Sequence, residues 1–346
     1  MGARPSVAAQ LAAIVRWYAA VIHGRHEGAG TLPFYCDPAR VGAFAVDPAA
    51  LAAGTEDAVF QVVVALAMYQ SRRDVDIMAI QRTMPRRAAL PMLSPYRLRL
   101  LVETSRCEHL AGAAAFDAGC DVRRDLAAGR TTCAHRPRTP CHVKDATLAI
   151  GRMGDMGMIP TSAWLHVQPA GGFTGLLARV VAAAPTPAAA ADAMVEELAA
   201  IRRIGTKLAT MIVSALATPA LAPGLTPWAP ALDGNHLIVV DANVARVIDR
   251  LRPRGPRTYR AYATWLRRHA RALDLTAIDP AWPRRSPRLV QQALYWFRSR
   301  SNRAALGDPC ATAATPCAAC VPAVCPFREG ADTRSPRARR IAADSW

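Results

Sequence analysis

Two residues in the middle of this 346-residue chain have side chains that can do chemistry at a carbon atom. Lys207 lies in the segment Ile204–Ala209, and the chain has one other lysine, Lys144, among its 43 cationic residues. A lysine amine can lose its proton and attack carbon, which the guanidinium group of arginine cannot do. Asp241 follows in the segment Val240–Val247, where a carboxylate can stabilise positive charge that develops on a reacting group. By residue type alone, Lys207 is a candidate nucleophile and Asp241 a candidate catalytic carboxylate, although an ordinary helix cap is the simpler role for Asp241.

A group of four cysteines near the C-terminus is a second feature with chemical potential. The spacers between them are six, two and four residues long, so the four thiols fall within one short loop. Thiolates at such spacing hold iron–sulfur clusters or a four-cysteine zinc ion. The predicted metal ligands are Cys310, Cys317, Cys320 and Cys325.

A second group of cysteines lies in the middle of the chain, accompanied by His135 and His142. The spacing of these residues matches no known zinc finger. Zinc binding and a scattered set of unrelated thiols therefore both remain open. The cysteines of this group are Cys107, Cys120, Cys133 and Cys141.

The charge of the chain indicates a polyanionic partner. The formal net charge is +17, and 15 arginines lie between Arg246 and Arg303 against three aspartates. A genome rich in arginine codons could also raise the number of arginines in the chain, but it does not explain why they cluster in this segment. Hydrophobic residues make up 52% of the chain, and no apolar run reaches the roughly 18 residues that a membrane span requires. These features favour a globular nucleic-acid-binding protein over a membrane protein.

Apolar periodicity, caps and prolines predict an all-α fold. We find no convincing pair of strands, and the polar, cysteine-rich stretch from Arg106 to Pro160 has the character of an insert. The predicted helices are Ser6–Ile22, Thr55–Ser71, Phe173–Ala184, Ala188–Ile201, Lys207–Ala217, Asp241–Leu251, Tyr259–Leu273 and Arg288–Arg300.

A helical hairpin surrounds the lysine. Two helices are predicted to meet at a tight turn, in which Gly205 can adopt backbone conformations that other residues rarely adopt. The small side chain of Ala209 lets the two helices pack closely. Free amide groups at the start of the second helix can hold a phosphate.

This hairpin, followed by Asp241 at the start of a helix, resembles the helix-hairpin-helix DNA glycosylases, a superfamily that includes endonuclease III. The resemblance implies that Lys207 is the nucleophile of an enzyme that excises a base and nicks the strand, and that Asp241 assists the attack. Arg203 stands where the family usually has a glycine, and the interval between Lys207 and Asp241 is long.

The family fold is also implied by the resemblance. One helical lobe would comprise residues 50–245 with the insert 106–160, and the other would comprise 1–49 and 246–326. A [4Fe-4S] cluster would be held by the C-terminal cysteine loop, with zinc as the alternative, and residues 327–346 would form a disordered basic tail. Damaged DNA would lie between the lobes, in contact with Gln70, Arg203, Ile204, Gly205, Thr206, Arg298, Arg300 and Arg303.

The sequence thus predicts a DNA glycosylase with associated lyase activity, acting as a monomer on double-stranded DNA that contains a damaged or abasic site. We expect a cytoplasmic, nucleoid-associated protein. An oxidised pyrimidine is the expected target, because Val62–Met68 lacks the acidic residue of the adenine-removing branch. Two alternatives stay open: a helix-hairpin-helix protein that recognises DNA structure without cutting it, and a base-modifying enzyme on the same scaffold.

Overall fold

The computed structural model describes residues 5–28, 30–70, 72–125, 129–135, 138–150, 156–252 and 254–307. Seventeen α-helices and one pair of short strands make up this part of the chain, which confirms the predicted all-α class. Within these residues, no helix is long and apolar enough to cross a membrane.

The first hundred residues are helical, with short 3₁₀ turns at Phe34–Cys36 and Gly42–Phe44. Hydroxyl caps fix where two of the longer helices begin: Ser6 accepts from the amide of Ala9, and Thr55 accepts from the amide of Ala58. The helices here are α1 (Val7–Val21), α2 (Pro38–Val41), α3 (Pro48–Ala52), α4 (Glu56–Ala67), α5 (Asp74–Thr83), α6 (Arg86–Leu93) and α7 (Pro95–Glu103).

The insert has secondary structure of its own, including a strand pair that the sequence analysis did not predict. Strand β1 (Arg123–Asp125) pairs antiparallel with β2 (Arg130–Thr132). Three residues are too few to show the alternating pattern that identifies a strand, which explains the error. The other elements are α8 (Ala113–Gly119), α9 (His142–Ile150) and 3₁₀ turns at Glu108–Leu110 and Met156–Met158.

The remaining helices are α10 (Ile159–Val167), α11 (Gly172–Ala183), α12 (Pro187–Ala199), α13 (Thr206–Ala217), α14 (Ala242–Leu251), α15 (Tyr259–Ala270), α16 (Pro287–Arg298) and α17 (Arg300–Ala305), with 3₁₀ turns at Gln168–Ala170, Gly234–His236 and Leu275–Ala277. Each of the eight predicted helices begins within one residue of its predicted start, and six of them are among these remaining helices, where α10 and α17 were not predicted.

Two large hydrophobic cores divide these helices into two lobes. The first core contains the buried faces of α4, α12 and α13, and the second contains those of α1, α14, α15 and α16. The division differs from the predicted boundaries at both ends. Tyr35 and Phe44 pack into the first core, whereas Ile238 and Val244 pack into the second.

Candidate active site

A cleft lined by residues of both cores contains the two predicted catalytic residues. Its space amounts to about 1150 Å³, including the opening to solvent. Leu66 and Tyr69 of the first core form part of its wall, and Trp296 of the second core forms another part. Lys207 and Asp241 both line this cleft, although they lie in different helical segments. The fold therefore places the two predicted side chains at one site.

Lys207 is held at the cleft by the packing of the helix that carries it. It occupies the first turn of α13, where its own side chain is partly buried. The next residues, Leu208 and Ala209, are 4% and 0% exposed and belong to the first core. This packing fixes the face of α13 on which Lys207 stands.

The hairpin turn before Lys207 is made differently from the sequence prediction. Arg203, with a φ of 69°, is the one non-glycine residue with positive φ in the described part of the chain. Gly205 has a φ of −83°, which any residue can adopt, and a side chain added to it would meet no atom within 4 Å. The left-handed position of the turn is therefore Arg203 rather than a glycine, and Gly205 leaves open space beside the start of α13.

Gln70, predicted to contact DNA, lies against the same hairpin. Its side-chain amide donates to the carbonyl of Ala67 at 2.7 Å and to the carbonyl of Arg203 at 3.2 Å. These bonds join the end of α4 to the hairpin turn. The first turn of α13 has no side-chain cap, so Gly205 and Thr206, both exposed, begin a helix whose amides face outward uncapped. Ile204, by contrast, is 1% exposed and packs in the first core.

Asp241 combines a structural role with an electrostatic one. Its Oδ1 accepts a hydrogen bond from the amide of Val244 at 2.7 Å, so the residue caps α14. Burial raises the pKa of the Asp241 carboxyl, and the charge of Asp74 raises it further. The amide of Val244 and the cation of Lys207 act in the opposite direction and lower that pKa. The carboxyl group is thus coupled both to the helix start and to the lysine.

A polar cluster that the sequence analysis missed forms another part of the cleft wall. Tyr295 donates a hydrogen bond to Asp74 Oδ2, and the amide of Asn302 donates to the same oxygen at 3.2 Å. The cluster joins α5 to α16 and α17. Burial and the neighbouring Asp74 raise the pKa of Tyr295 well above its ordinary value, so its hydroxyl stays protonated and donates. No sequence pattern signals this group, because Asp74 is more than 200 residues away from Tyr295 and Asn302 in the chain.

A second network of hydrogen bonds, centred on Arg288, forms a further part of the cleft wall. The guanidinium group of Arg288 donates to Gln292 Oε1 at 2.8 Å, and Gln292 donates to Glu27 Oε1 at 2.8 Å. Arg288 also donates to Ser214 Oγ at 2.9 Å, and Tyr18 donates to Glu27 Oε2 at 2.7 Å. Burial lowers the pKa of Arg288 to about 10, which still leaves it charged at neutral pH. Periodicity identified Arg288 only as the start of a helix.

The three arginines predicted to contact the DNA backbone differ in accessibility. Arg300 is exposed and Arg298 is partly buried. Arg303 is 6% exposed, donates to the carbonyl of Phe297 at 2.7 Å, and lies 4.6 Å from the ring centre of Trp17. In this position the Arg303 head group is not accessible to a DNA phosphate, and it stabilises the packing of α17 against α1 and α16 instead.

The predicted metal ligands Cys310, Cys317, Cys320 and Cys325 lie outside the described residues, as does the predicted tail 327–346. Comparison with known proteins assigns no family: no family model matches the chain, and neither a curated protein nor a solved structure matches it.

Proposed function

We propose that this protein is a DNA glycosylase with lyase activity, in which Lys207 is the nucleophile and Asp241 is the assisting carboxylate. The observation that carries the proposal is that both side chains line one cleft between the two cores, although 34 residues separate them. The charge of Lys207 acts directly on the titration of Asp241. An amine beside a carboxylate, in a cleft of this size, suits attack on a sugar carbon.

The chemistry follows from the two groups. The neutral amine of Lys207 bonds to the sugar carbon while the bond from that carbon to the base breaks, and the base leaves with a proton. The carboxylate of Asp241 stabilises the positive charge on the sugar during this step. Ring opening then gives an imine, which acidifies the adjacent C–H bond and permits elimination of the 3′ phosphate. Water finally hydrolyses the imine and restores the amine.

Two unpaired polar atoms in the cleft support a ligand with both donors and acceptors, such as an extruded base. Trp296 Nε1 and Asn302 Oδ1 are buried, line the cleft, and have no hydrogen-bond partner among the described residues. Buried polar atoms are normally satisfied, so water or a ligand is expected to bond them.

Contact with the DNA backbone would come from the hairpin and the basic C-terminal half. The uncapped start of α13 at Gly205 and Thr206 can hold a phosphate through amide groups. Gln70 and Arg203 lie at the same turn. Arg300 adds an exposed cation. The partner is therefore double-stranded DNA with a damaged base, and the C-terminal cysteines would hold a [4Fe-4S] cluster that stabilises the adjacent loop.

A second candidate is a protein that recognises DNA structure without cutting it. One observation favours it: the Asp241 carboxylate already has a structural partner in the Val244 amide, so its presence does not require catalysis.

Base release from a panel of duplexes distinguishes the two candidates. We expect release from an oxidised pyrimidine and none from undamaged DNA. Asp241→Asn can still cap α14 through its carbonyl oxygen but carries no charge, so it should slow release by about 100-fold while leaving DNA affinity unchanged. Binding without release on every lesion would favour the non-catalytic candidate.

A further inference from the structure

The insert brings its four cysteines to one cavity, separate from the catalytic cleft. The cavity has about 840 Å³ of space, including its opening. The thiols are reduced, and none forms a disulfide. The cysteines on its wall, 34 residues apart from first to last, are Cys107, Cys120, Cys133 and Cys141.

Each of these cysteines lies at an end of a secondary-structure element rather than inside one. Cys107 precedes the 3₁₀ turn Glu108–Leu110, and Cys120 follows α8. Cys133 follows β2, and Cys141 precedes α9. Side chains at such positions can move by small backbone adjustments without breaking a helix or a strand.

Although α9 also packs into the first core through Ala146 and Ile150, the insert has a small hydrophobic core of its own. Its fully packed members number seven, against the much larger cores of the two lobes. One of the seven is Cys120 itself, and the other three cysteines pack at its edge. Small, loop-rich units with so little apolar burial are commonly stabilised by a metal or by disulfides.

The electrostatics of the cavity link these thiols to one another. Cys133, Cys141 and Arg202 all lie close enough to Cys120 to interact with it electrostatically. The carboxylate of Asp121 accepts a hydrogen bond from Cys133. Cys120 is 8% exposed, so it is poorly placed to attack a molecule that approaches from solvent.

His109 adds a polar atom that lacks a partner. Its Nε2 is buried and makes no hydrogen bond within the described residues, and its ring lies 4.2 Å from that of His135 between ring centres. The same imidazole lines the cysteine cavity. A ring N–H next to thiolates would find an acceptor there.

We propose that Cys107, Cys120, Cys133 and Cys141 bind one zinc ion as four thiolates, and that His109 donates a hydrogen bond to one of them. The proposal does not depend on the function assigned to the cleft. Among the described residues no three His, Cys, Asp or Glu side chains already have the geometry of a metal site, so the thiols must draw together across the cavity. Each thiol releases its proton to solvent, and Arg202 offsets part of the resulting negative charge.

Four thiolates with no open position describe a structural zinc site rather than a catalytic one. Zinc also accepts the widely spaced ligands of this insert, with spacers of twelve, twelve and seven residues. The ion would join the 3₁₀ turn Glu108–Leu110 to the ends of α8 and β2 and to the start of α9, and so supplement the small core of the insert.

Metal analysis of the full chain, purified without oxygen or chelator, tests the proposal. The double variant Cys120→Ser/Cys133→Ser should contain one zinc fewer than the native chain, whatever metal the C-terminal cysteines hold. Cys36→Ala is the matched control, because Cys36 is also a buried thiol but lies in the first core, and its zinc content should equal that of the native chain.

Alkylation of the native chain keeps the test decisive if the double variant does not fold. The four insert cysteines should react slowly with iodoacetamide until a strong chelator is added, as mapped by peptide mass spectrometry. Cobalt in place of zinc should give the absorption of tetrahedral thiolate coordination, and His109→Gln should shift it. The proposal would be overturned if the native chain and the double variant contained equal amounts of zinc, or if the double variant lost iron instead of zinc. It would also be overturned if the chelator did not change the rate of alkylation of the four insert cysteines.

Discussion

The proposed catalytic cleft and the insert organise reactive side chains in opposite ways. In the cleft, Arg288 and Gln292 stand on the long helix α16, and hydrogen bonds already join Arg288 to Gln292 and Gln292 to Glu27. In the insert, the cysteines stand at the ends of short elements around an open cavity, and His109 Nε2 has no hydrogen-bond partner among the described residues. The fold itself thus holds the polar groups of the cleft, whereas the proposed zinc site would form only when an ion draws the insert cysteines together.

Removal of metal should give the largest contrast between the two regions. A chelator should increase amide hydrogen exchange throughout α8 and the β1–β2 pair, because the ligands that join these elements are lost. The hairpin of α12 and α13 should keep its protection, since it packs in the first core. Hydrogen exchange with mass spectrometry measures both regions in one experiment. Equal loss of protection in the two regions would show that the insert is not an independent unit.

Core substitutions should extend this contrast. Ile212→Ala in the first core should lower the free energy of unfolding of the whole chain by about 2–5 kcal/mol. Phe116→Ala removes a larger side chain, but it lies in the insert core. Its effect should therefore be seen as local opening of the insert, with DNA affinity retained.

Denaturant unfolding and a binding assay on both variants check this expectation. Both positions are 0% exposed, so the comparison is matched for burial. Loss of DNA binding in Phe116→Ala at a temperature where the chain remains folded would contradict the separation of the two regions.

Substitution of Asp241, compared with substitution of an ordinary helix cap, distinguishes the structural role of Asp241 from its proposed catalytic role. Asp241→Ala should cost about 1 kcal/mol of stability through loss of the cap, as should Thr258→Ala at the exposed cap of α15. Asp241→Ala alone should also abolish base release. Melting temperatures and single-turnover rates of the two variants make the comparison. A near-normal rate of base release by Asp241→Ala would show that Asp241 acts only as a helix cap.

The pH dependence of Asp241→Asn sharpens the same point. Because burial raises the pKa of Asp241 in the folded chain, the folded state holds the proton more tightly than the unfolded state. Native stability should therefore fall as the pH rises from the ordinary pKa of aspartate, about 4, through the raised value. Asp241→Asn does not ionise, so its stability relative to the native chain should increase over that range. A pH-independent difference would contradict the raised pKa.

The hairpin turn should show the smallest effect. Arg203→Gly should raise stability by up to about 1 kcal/mol, because a left-handed conformation costs a residue with a side chain about that much. The greater freedom of glycine in the unfolded chain offsets part of the gain. Arg202→Gly is the control: Arg202 has no left-handed φ and donates to the carbonyl of Asp117 at 2.9 Å, so its loss should destabilise. Thermal melts in which both variants destabilise equally would argue against strain at Arg203.

Local signals in the sequence predicted eight of the seventeen described helices, because local interactions determine where these helices begin. Ser6, Thr55 and Asp241 cap helices at the predicted positions, and Pro187 stands in the first turn of α12. The left-handed Arg203 was missed, since its conformation follows from how α12 and α13 meet rather than from its own preference.

Contacts between distant segments account for the rest of what the sequence left out. Lys207 and Asp241 were paired on the basis of residue type and a resemblance, and the cleft that holds both arises only when the two cores pack. Asp74, Tyr295 and Glu27 have no local signature, because each acquires its environment from residues elsewhere in the chain. The convergence of the insert cysteines on one cavity is of the same kind.

Borohydride trapping on DNA with an abasic site tests the central claim most directly, since reduction converts an imine between lysine and sugar into a stable adduct. The chain has two lysines, and Lys144 is the matched control: it is 7% exposed and donates to the carbonyl of Thr139 in the insert. We predict a covalent adduct with the native chain and with Lys144→Arg, and none with Lys207→Ala, whose DNA affinity should be retained. An adduct that persists in Lys207→Ala, or no adduct with the native chain on any abasic or damaged duplex, would contradict the assignment of Lys207 as the nucleophile.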